Sequence, residues 1–280
     1  MTVRETSISF ACADAILFGV ISHPEQPASK GVIIVVGGPQ YRVGSHRQFT
    51  LLARALAAQG HAVLRFDSRG MGDSSGTAPG FNALDADIAA AIDALTTACP
   101  AVEQVVLWGL CDGASAALLY SQRNRDERVA GLALANPWLE SERAEAHAIV
   151  HSYYRQRLLQ GSFWRKLLHK QINPLGRLRE AWRLWRTAAQ RSEAATNDTQ
   201  AMHVTLLELK LPMLVLLCQR DATAQTFSAA LRLVGSDFLQ RANVQRVDFA
   251  EADHTFSRQE WRKEVENVTI AWLNEKCFKP

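Results

Sequence analysis

The chain lacks most of the features that staple, anchor or repeat a protein. Its five cysteines, Cys12, Cys99, Cys111, Cys218 and Cys277, are odd in number, share no framework spacing and include no Cys-x-x-Cys pair. A disulfide scaffold and a zinc ribbon are therefore excluded, and a reducing compartment such as the cytosol is expected. No stretch approaches the ~20 uncharged apolar residues needed to cross a bilayer. The first ten residues, Met1 to Phe10, hold no positive run followed by an apolar core, so no signal peptide is expected. Internal repeats and low-complexity tracts are missing too. A net charge of +3 is too small to mark the whole chain as a nucleic-acid binder, while 48% apolar and 21% charged residues over 280 positions suit one large globular domain, with or without an insertion.

What is present is an alternation of strand and helix signals. Thr6 to Phe10 and Ala15 to Ser22 read as short strands, closed by the turn chemistry of His23 to Pro27. Gly31 to Val36 is a continuous β-branched run suited to a parallel strand buried on both faces. Helical spacing follows from Arg47 to Gln59, with Phe49, Leu52, Ala53 and Leu56 on one face and Gly60 as the stop. His61 to Phe66 is the next strand, and Leu84 to Cys99 is an Ala-rich helix ended by Pro100. After Val129 to Leu134 the rhythm pauses. It resumes with strands at Met213 to Leu217 and Val244 to Phe249, a helix between them from about Thr226 to Arg241, and a closing helix from Gln259 to Lys276. Such alternation predicts a mostly parallel sheet covered on both sides, with ligands beyond the carboxyl ends of its strands.

The organising stretch is Val105-Val106-Leu107-Trp108-Gly109-Leu110-Cys111-Asp112-Gly113-Ala114. It reads as a buried strand entering a helix through a Gly-x-Cys-x-Gly turn, the nucleophile-elbow pattern with cysteine in the place usually held by serine. Small residues at Gly109 and Gly113 let the strand and helix backbones approach, and a helix N-terminus behind Cys111 favours thiolate over thiol. The plain alternative is a buried cysteine beside a chance pair of glycines. Two other segments fall at strand ends: Gln219-Arg220-Asp221-Ala222-Thr223 and Ala252-Asp253-His254-Thr255-Phe256.

These residues, with Asp67-x-Arg69-Gly70-x-Gly72-x-Ser74 after the preceding strand, resemble the α/β-hydrolase superfamily, in which nucleophile, acid and histidine follow in that chain order. More narrowly, Gly37-Gly38-Pro39-Gln40-Tyr41-Arg42-Val43-Gly44-Ser45-His46-Arg47 with Trp108 to Asp112 resembles the exosortase A system-associated hydrolases, found in exopolysaccharide and protein-sorting gene neighbourhoods. The resemblance implies an α/β fold with a mostly parallel sheet, helices on both faces and a helical cap. Its boundaries are a core at 1–137 and 212–280 and a cap at 138–211. It also implies a Cys111, His254 and Asp221 triad. Asp253, Glu140 and Glu142 are rival carboxylates, and helix capping near Thr223 is the alternative role of Asp221. An oxyanion hole needs two preorganised donors. The N–H of Asp112 is one. The family's His-Gly-x donor loop reads Gly37-Gly38-Pro39 here, and proline has no N–H, so Gln40 is the second candidate. Asp67 and Arg69 are expected to brace their loop, and Ser115 to pack. No cofactor or metal is expected.

Between Arg155 and Arg191 stand ten Lys or Arg and one acid, Glu180, a local balance of +9 that leaves about −6 for the rest. Leu175, Leu178, Trp182 and Trp185 share one helical face, with Arg179, Arg183 and Arg186 opposite. This is either a solvated basic face or a surface for an anionic membrane or a phosphate-bearing acyl carrier, and it makes the inner membrane face a possible docking place for an otherwise cytoplasmic protein. No nucleic-acid partner is expected, because no binding motif accompanies the charge. The reading that follows is a hydrolase of a small-molecule ester or thioester. An acyltransferase to a saccharide or lipid-linked acceptor is the nearest alternative, and a non-catalytic scaffold is the other. A dienelactone-type lactonase also carries a cysteine elbow but lacks so large a cap.

Overall fold

The structure, a computed structural model, describes residues 3–37, 40–138, 209–233 and 237–277. The expected cap lies outside them apart from Trp138 and Leu209 to Leu211, as do the rival acids Glu140 and Glu142.

Eight strands form one sheet: β1 (Arg4–Cys12), β2 (Ala15–His23), β3 (Lys30–Val35), β4 (Ala62–Phe66), β5 (Gln104–Leu110), β6 (Val129–Ala135), β7 (Met213–Cys218) and β8 (Val244–Phe249). Their order is β1-β2-β4-β3-β5-β6-β7-β8. The β1–β2 and β2–β4 pairs are antiparallel and all others parallel. The sheet is thus the α/β-hydrolase arrangement expected from the strand–helix rhythm.

Alternation within each strand divides the core in two. On one side Val32, Ile34, Val106, Trp108, Leu214 and Leu216 pack under α1 (Gln48–Ala57), and the closing helix Gln259–Trp272 covers the same face. On the other side Ile33, Val35, Leu107, Leu134 and Val215 meet α2 (Asp85–Ala98) and α3 (Asp112–Asn124), followed by α4 (Ala222–Leu233). The closing helix is α5. Strands wet on neither face need no polar alternation, so the five-residue β4 is buried throughout.

The chain leaves β3 outward to β4, then returns across it to β5. Strand order therefore reverses between β3 and β5, and their carboxyl ends frame the crevice where such sheets bind ligands. Val35 and Gly37 lie on one side of that crevice and Cys111 on the other.

Candidate active site

Cys111 caps the N-terminus of α3 with φ 56 and ψ −122, a left-handed conformation that a side-chain-bearing residue adopts only under constraint. The constraint is visible in the bonds around it. Its N–H donates to Ala135 O at 2.9 Å, and its carbonyl accepts from Ala114 N at 3.0 Å and Ser115 N at 3.1 Å. A Cβ on Gly109 would overlap the backbone of Gly113 and Ala114, and one on Gly113 would overlap Val35 O. Both glycines are needed for close backbone approach, as the elbow pattern requires. Gly37 is pressed on the same turn, since a Cβ there would lie 2.7 Å from Asp112 C and overlap Gly113 N.

Folding brings His254 to this turn from the loop after β8. Its Nδ1 lies 2.9 Å from Asp221 Oδ2, and Cys111 is near enough to act on the ring as well. The hydrogen bond to Asp221 is the largest influence on the ring and the bond to Cys111 the next. Together they outweigh burial, and the imidazole pKa rises from 6.5 to about 10. The Asp221 side chain is 8% exposed and that of His254 31%. The same Asp221 Oδ2 also accepts the Ala224 N–H at 3.1 Å. Capping of α4 and contact with the imidazole, weighed as alternatives, coexist on one oxygen.

The rival Asp253 is occupied elsewhere. It accepts from Thr255 N at 3.2 Å, Ser257 N at 2.9 Å and the Ser257 hydroxyl. Burial alone would raise its pKa, but these hydrogen bonds and the nearby His46 hold it below the usual carboxylate range. Cys111 Sγ lies 3.6 Å from Asp112 Oδ1, so the elbow sulfur sits beside a carboxylate as well as an imidazole.

The expected second oxyanion donor is not brought into a described contact with this group. Gln40 is half-buried, and its Oε1 is shielded from solvent without a hydrogen-bond partner among the described residues. Gly38 and Pro39 lie outside those residues.

Asp67 and Arg69 brace as expected. Asp67, wholly buried, accepts the Arg42 N–H at 2.6 Å, its guanidinium, and the Asp73 N–H at 3.1 Å. Arg69 Nε meets Asp87 Oδ2 at 2.9 Å. Ser115 does more than pack. Its hydroxyl bonds the Trp138 carbonyl and accepts the Trp138 N–H at 3.0 Å, fixing the chain beyond β6 one turn from Cys111. Asn136, which the sequence reading passed over, contacts the histidine loop directly through Nδ2 to His254 O at 3.1 Å. The Asn136-Pro137 pair was its only local signal, marking a turn that tolerates a left-handed residue. Among the described residues no group of three or more His, Cys, Asp or Glu side chains is arranged to hold a metal ion.

The family model described as serine aminopeptidase, S33, matches residues 27–255, most of the chain. The chain belongs to this S33 hydrolase family. Its elbow carries Cys111 in place of the serine of the family's name. Among solved structures, an esterase of Pyrococcus furiosus is 15% identical with a TM-score of 0.66, over 99% of this chain and 92% of that one. A dienelactone hydrolase from Anabaena variabilis is 15% identical with a TM-score of 0.62, over 99% and 100% of the two chains. A proline iminopeptidase of Mycobacterium smegmatis is 15% identical with a TM-score of 0.60, over 96% and 97%. At such identity the likeness is one of fold. No curated protein matches the chain.

Proposed function

We propose that this S33-family hydrolase cleaves an ester or thioester through a covalent acyl-enzyme on Cys111, with His254 as acid and base and Asp221 as the carboxylate that orients it. The observation that carries the reading is the imidazole with Asp221 at 2.9 Å from Nδ1 and the elbow cysteine close enough to raise its pKa.

With its pKa near 10, His254 is an imidazolium at neutral pH beside the elbow sulfur, whose attacking form is the thiolate. The sulfur attacks the acyl carbon, and the carbonyl electrons move to an oxygen facing the Asp112 N–H, with the Gln40 segment proposed as second donor. As the tetrahedral adduct collapses, the bond to the leaving oxygen or sulfur breaks and His254 gives that atom its proton. A neutral thioester now replaces the sulfur anion, so the second-largest influence raising the imidazole is gone. The ring becomes a better base for its next task. It takes a proton from water, hydroxide adds to the thioester, and Cys111 leaves with the imidazolium restored. An amide is a poorer substrate, because thiolate leaves a tetrahedral adduct more readily than an unprotonated amine.

The loop from Gly37 to Arg47 and the Trp108 to Asp112 elbow carry the resemblance to exosortase A system-associated hydrolases. The proposed setting is accordingly an exopolysaccharide or protein-sorting system. Incubation with short acyl thioesters followed by intact-mass spectrometry tests the chemistry. A Cys111 adduct that is absent in Cys111→Ala is expected. Added alcohols separate water from another acceptor as the acyl taker. Failure of both acylation and alkylation at Cys111 would leave a scaffold as the remaining reading.

A further inference from the structure

We infer that Asn136 is a positioning residue for this site, holding the histidine loop by its main chain and locking it to the strand that leads to Asp221. The inference rests on the proposed roles of Cys111, His254 and Asp221.

Asn136 follows β6 directly, is wholly buried and has φ 42. Its Nδ2 donates to His254 O at 3.1 Å and lies 3.3 Å from Cys218 Sγ, while its Oδ1 accepts the Cys218 N–H at 2.8 Å. Its own N–H donates to Leu216 O at 2.8 Å. Cys218 Sγ in turn reaches Asp253 O at 3.3 Å, and Cys218 O accepts the Asp221 N–H at 3.1 Å. On the other side, the carbonyl of Ala135, next in the chain, receives the Cys111 N–H at 2.9 Å. The nucleophile turn, the acid loop and the base loop thus all converge on Asn136 through one or two hydrogen bonds.

The side chain required is narrowly defined. The backbone demands a left-handed residue, which asparagine tolerates better than most. The partners demand one acceptor and one donor about two bonds from Cβ. Aspartate would set an oxygen against the His254 carbonyl, glutamine would place its amide one methylene too far, and glycine would supply the backbone alone. Because Asn136 and Cys218 are wholly buried, losing the side chain strands the Cys218 N–H and takes a donor from the His254 carbonyl.

The charged and titratable groups around the ring define the readout. Asp221 faces Nδ1, Cys111 is the other partner, Asp112 flanks the sulfur, and Asp253 is turned to Thr255 and Ser257. If the loop slackens, the first two contacts lengthen and the imidazole pKa falls from about 10 toward 6.5.

Asn136→Gly keeps the backbone conformation and deletes both side-chain bonds. Asn136→Ser leaves a hydroxyl near Cys218 that is too short to span to His254. His254 titration by NMR, steady-state kinetics on a short acyl ester and thermal melting are read for each. We expect the titration midpoint to drop by a unit or more and kcat to fall ~10- to 100-fold, with KM within about threefold, as loss of alignment rather than affinity predicts. A residue of merely structural importance would lower the melting temperature and leave the midpoint in place. A folded variant with an unmoved midpoint and kcat overturns the inference. Should neither variant fold, the wild-type side-chain amide decides. Slow exchange of the Asn136 Nδ2 protons is expected, and exchange at the rate of a free amide overturns the inference. A wild type that never acylates at Cys111 defeats the nucleophile reading alone, since the His254 midpoint still reports on Asn136.

Discussion

Replacing Asp221 by asparagine isolates its charge from its shape. Asp221 Oδ2 serves both Ala224 N at 3.1 Å and His254 Nδ1 at 2.9 Å, and an amide oxygen can occupy that place. The α4 cap then holds the amide oxygen toward the ring, so the tautomer with a proton on Nδ1 is kept. What disappears is the negative charge. The interval from 6.5 to about 10 corresponds, at ~1.4 kcal/mol per pH unit, to ~5 kcal/mol of preference for imidazolium. With the side chain 31% exposed, screening by water reduces this to about half, ~2.5 kcal/mol, and Asp221, the largest source, carries at most ~2 kcal/mol of it. A loss of that size lowers the rate of Cys111 acylation ~30-fold. Stopped-flow acylation with a chromogenic ester measures the rate, and NMR follows the His254 midpoint, expected to move down toward 6.5. The stability advantage of wild type over the variant should be full below pH 6.5 and vanish as pH rises through about 10. A rate within threefold of wild type with an unmoved midpoint would refute the charge argument. A fall of ~10⁴-fold, the scale seen when a triad histidine is held in the wrong tautomer, would refute the capping argument instead.

Acid stability should depend on His61, whose burial, with Lys30 nearby, lowers its pKa to about 4. Its contribution is present above pH 6.5 and is lost as pH falls toward 4. Urea unfolding should therefore show wild type losing ~2 kcal/mol more than His61→Gln between pH 7 and 5. Gly113→Ala forces a methyl into Val35 O at the crevice, so unfolding free energy should drop by ~1–3 kcal/mol or more and acylation should fail. Arg42→Met leaves the buried Asp67 carboxylate with backbone donors only. A loss of ~3 kcal/mol in unfolding free energy is expected, and no measurable loss would show that the backbone donors suffice. If the basic segment from Arg155 to Arg191 docks on anionic lipid, vesicle sedimentation should fall steeply between low and high salt, and equal binding to neutral vesicles would count against it.

The centre of the sheet was legible because its strands are buried on both faces. Runs such as Val32 to Val36 and Met213 to Cys218 admit few other readings, and the elbow glycines declare the backbone contact they permit. The helix after β7 was misplaced. It was expected from Thr226 to Arg241 and runs Ala222–Leu233, with a separate short turn at Phe238–Gln240. The apolar spacing of Phe227, Ala230 and Leu231 was right, and the start was already weighed as an Asp221 cap near Thr223; that the same oxygen also holds His254 is a tertiary pairing no local pattern reveals. Asn136 was hidden for the same reason, its partner His254 lying 118 positions away. Gln40 was chosen from its place in the loop alone, and chain position did not reveal that its amide oxygen is shielded without a hydrogen-bond partner among the described residues.

Burial has quieted the thiols that stand apart from the elbow. Cys218 and Cys277 are pushed up to about 12, and Cys12 and Cys99 are raised as well. A chemist seeking to tag this protein at neutral pH should therefore meet less competition from these four than from free thiols. The fold itself supplies protecting groups for these four, and Cys111→Ala shows how much of a dye, a crosslinker or an inhibitor warhead they still accept.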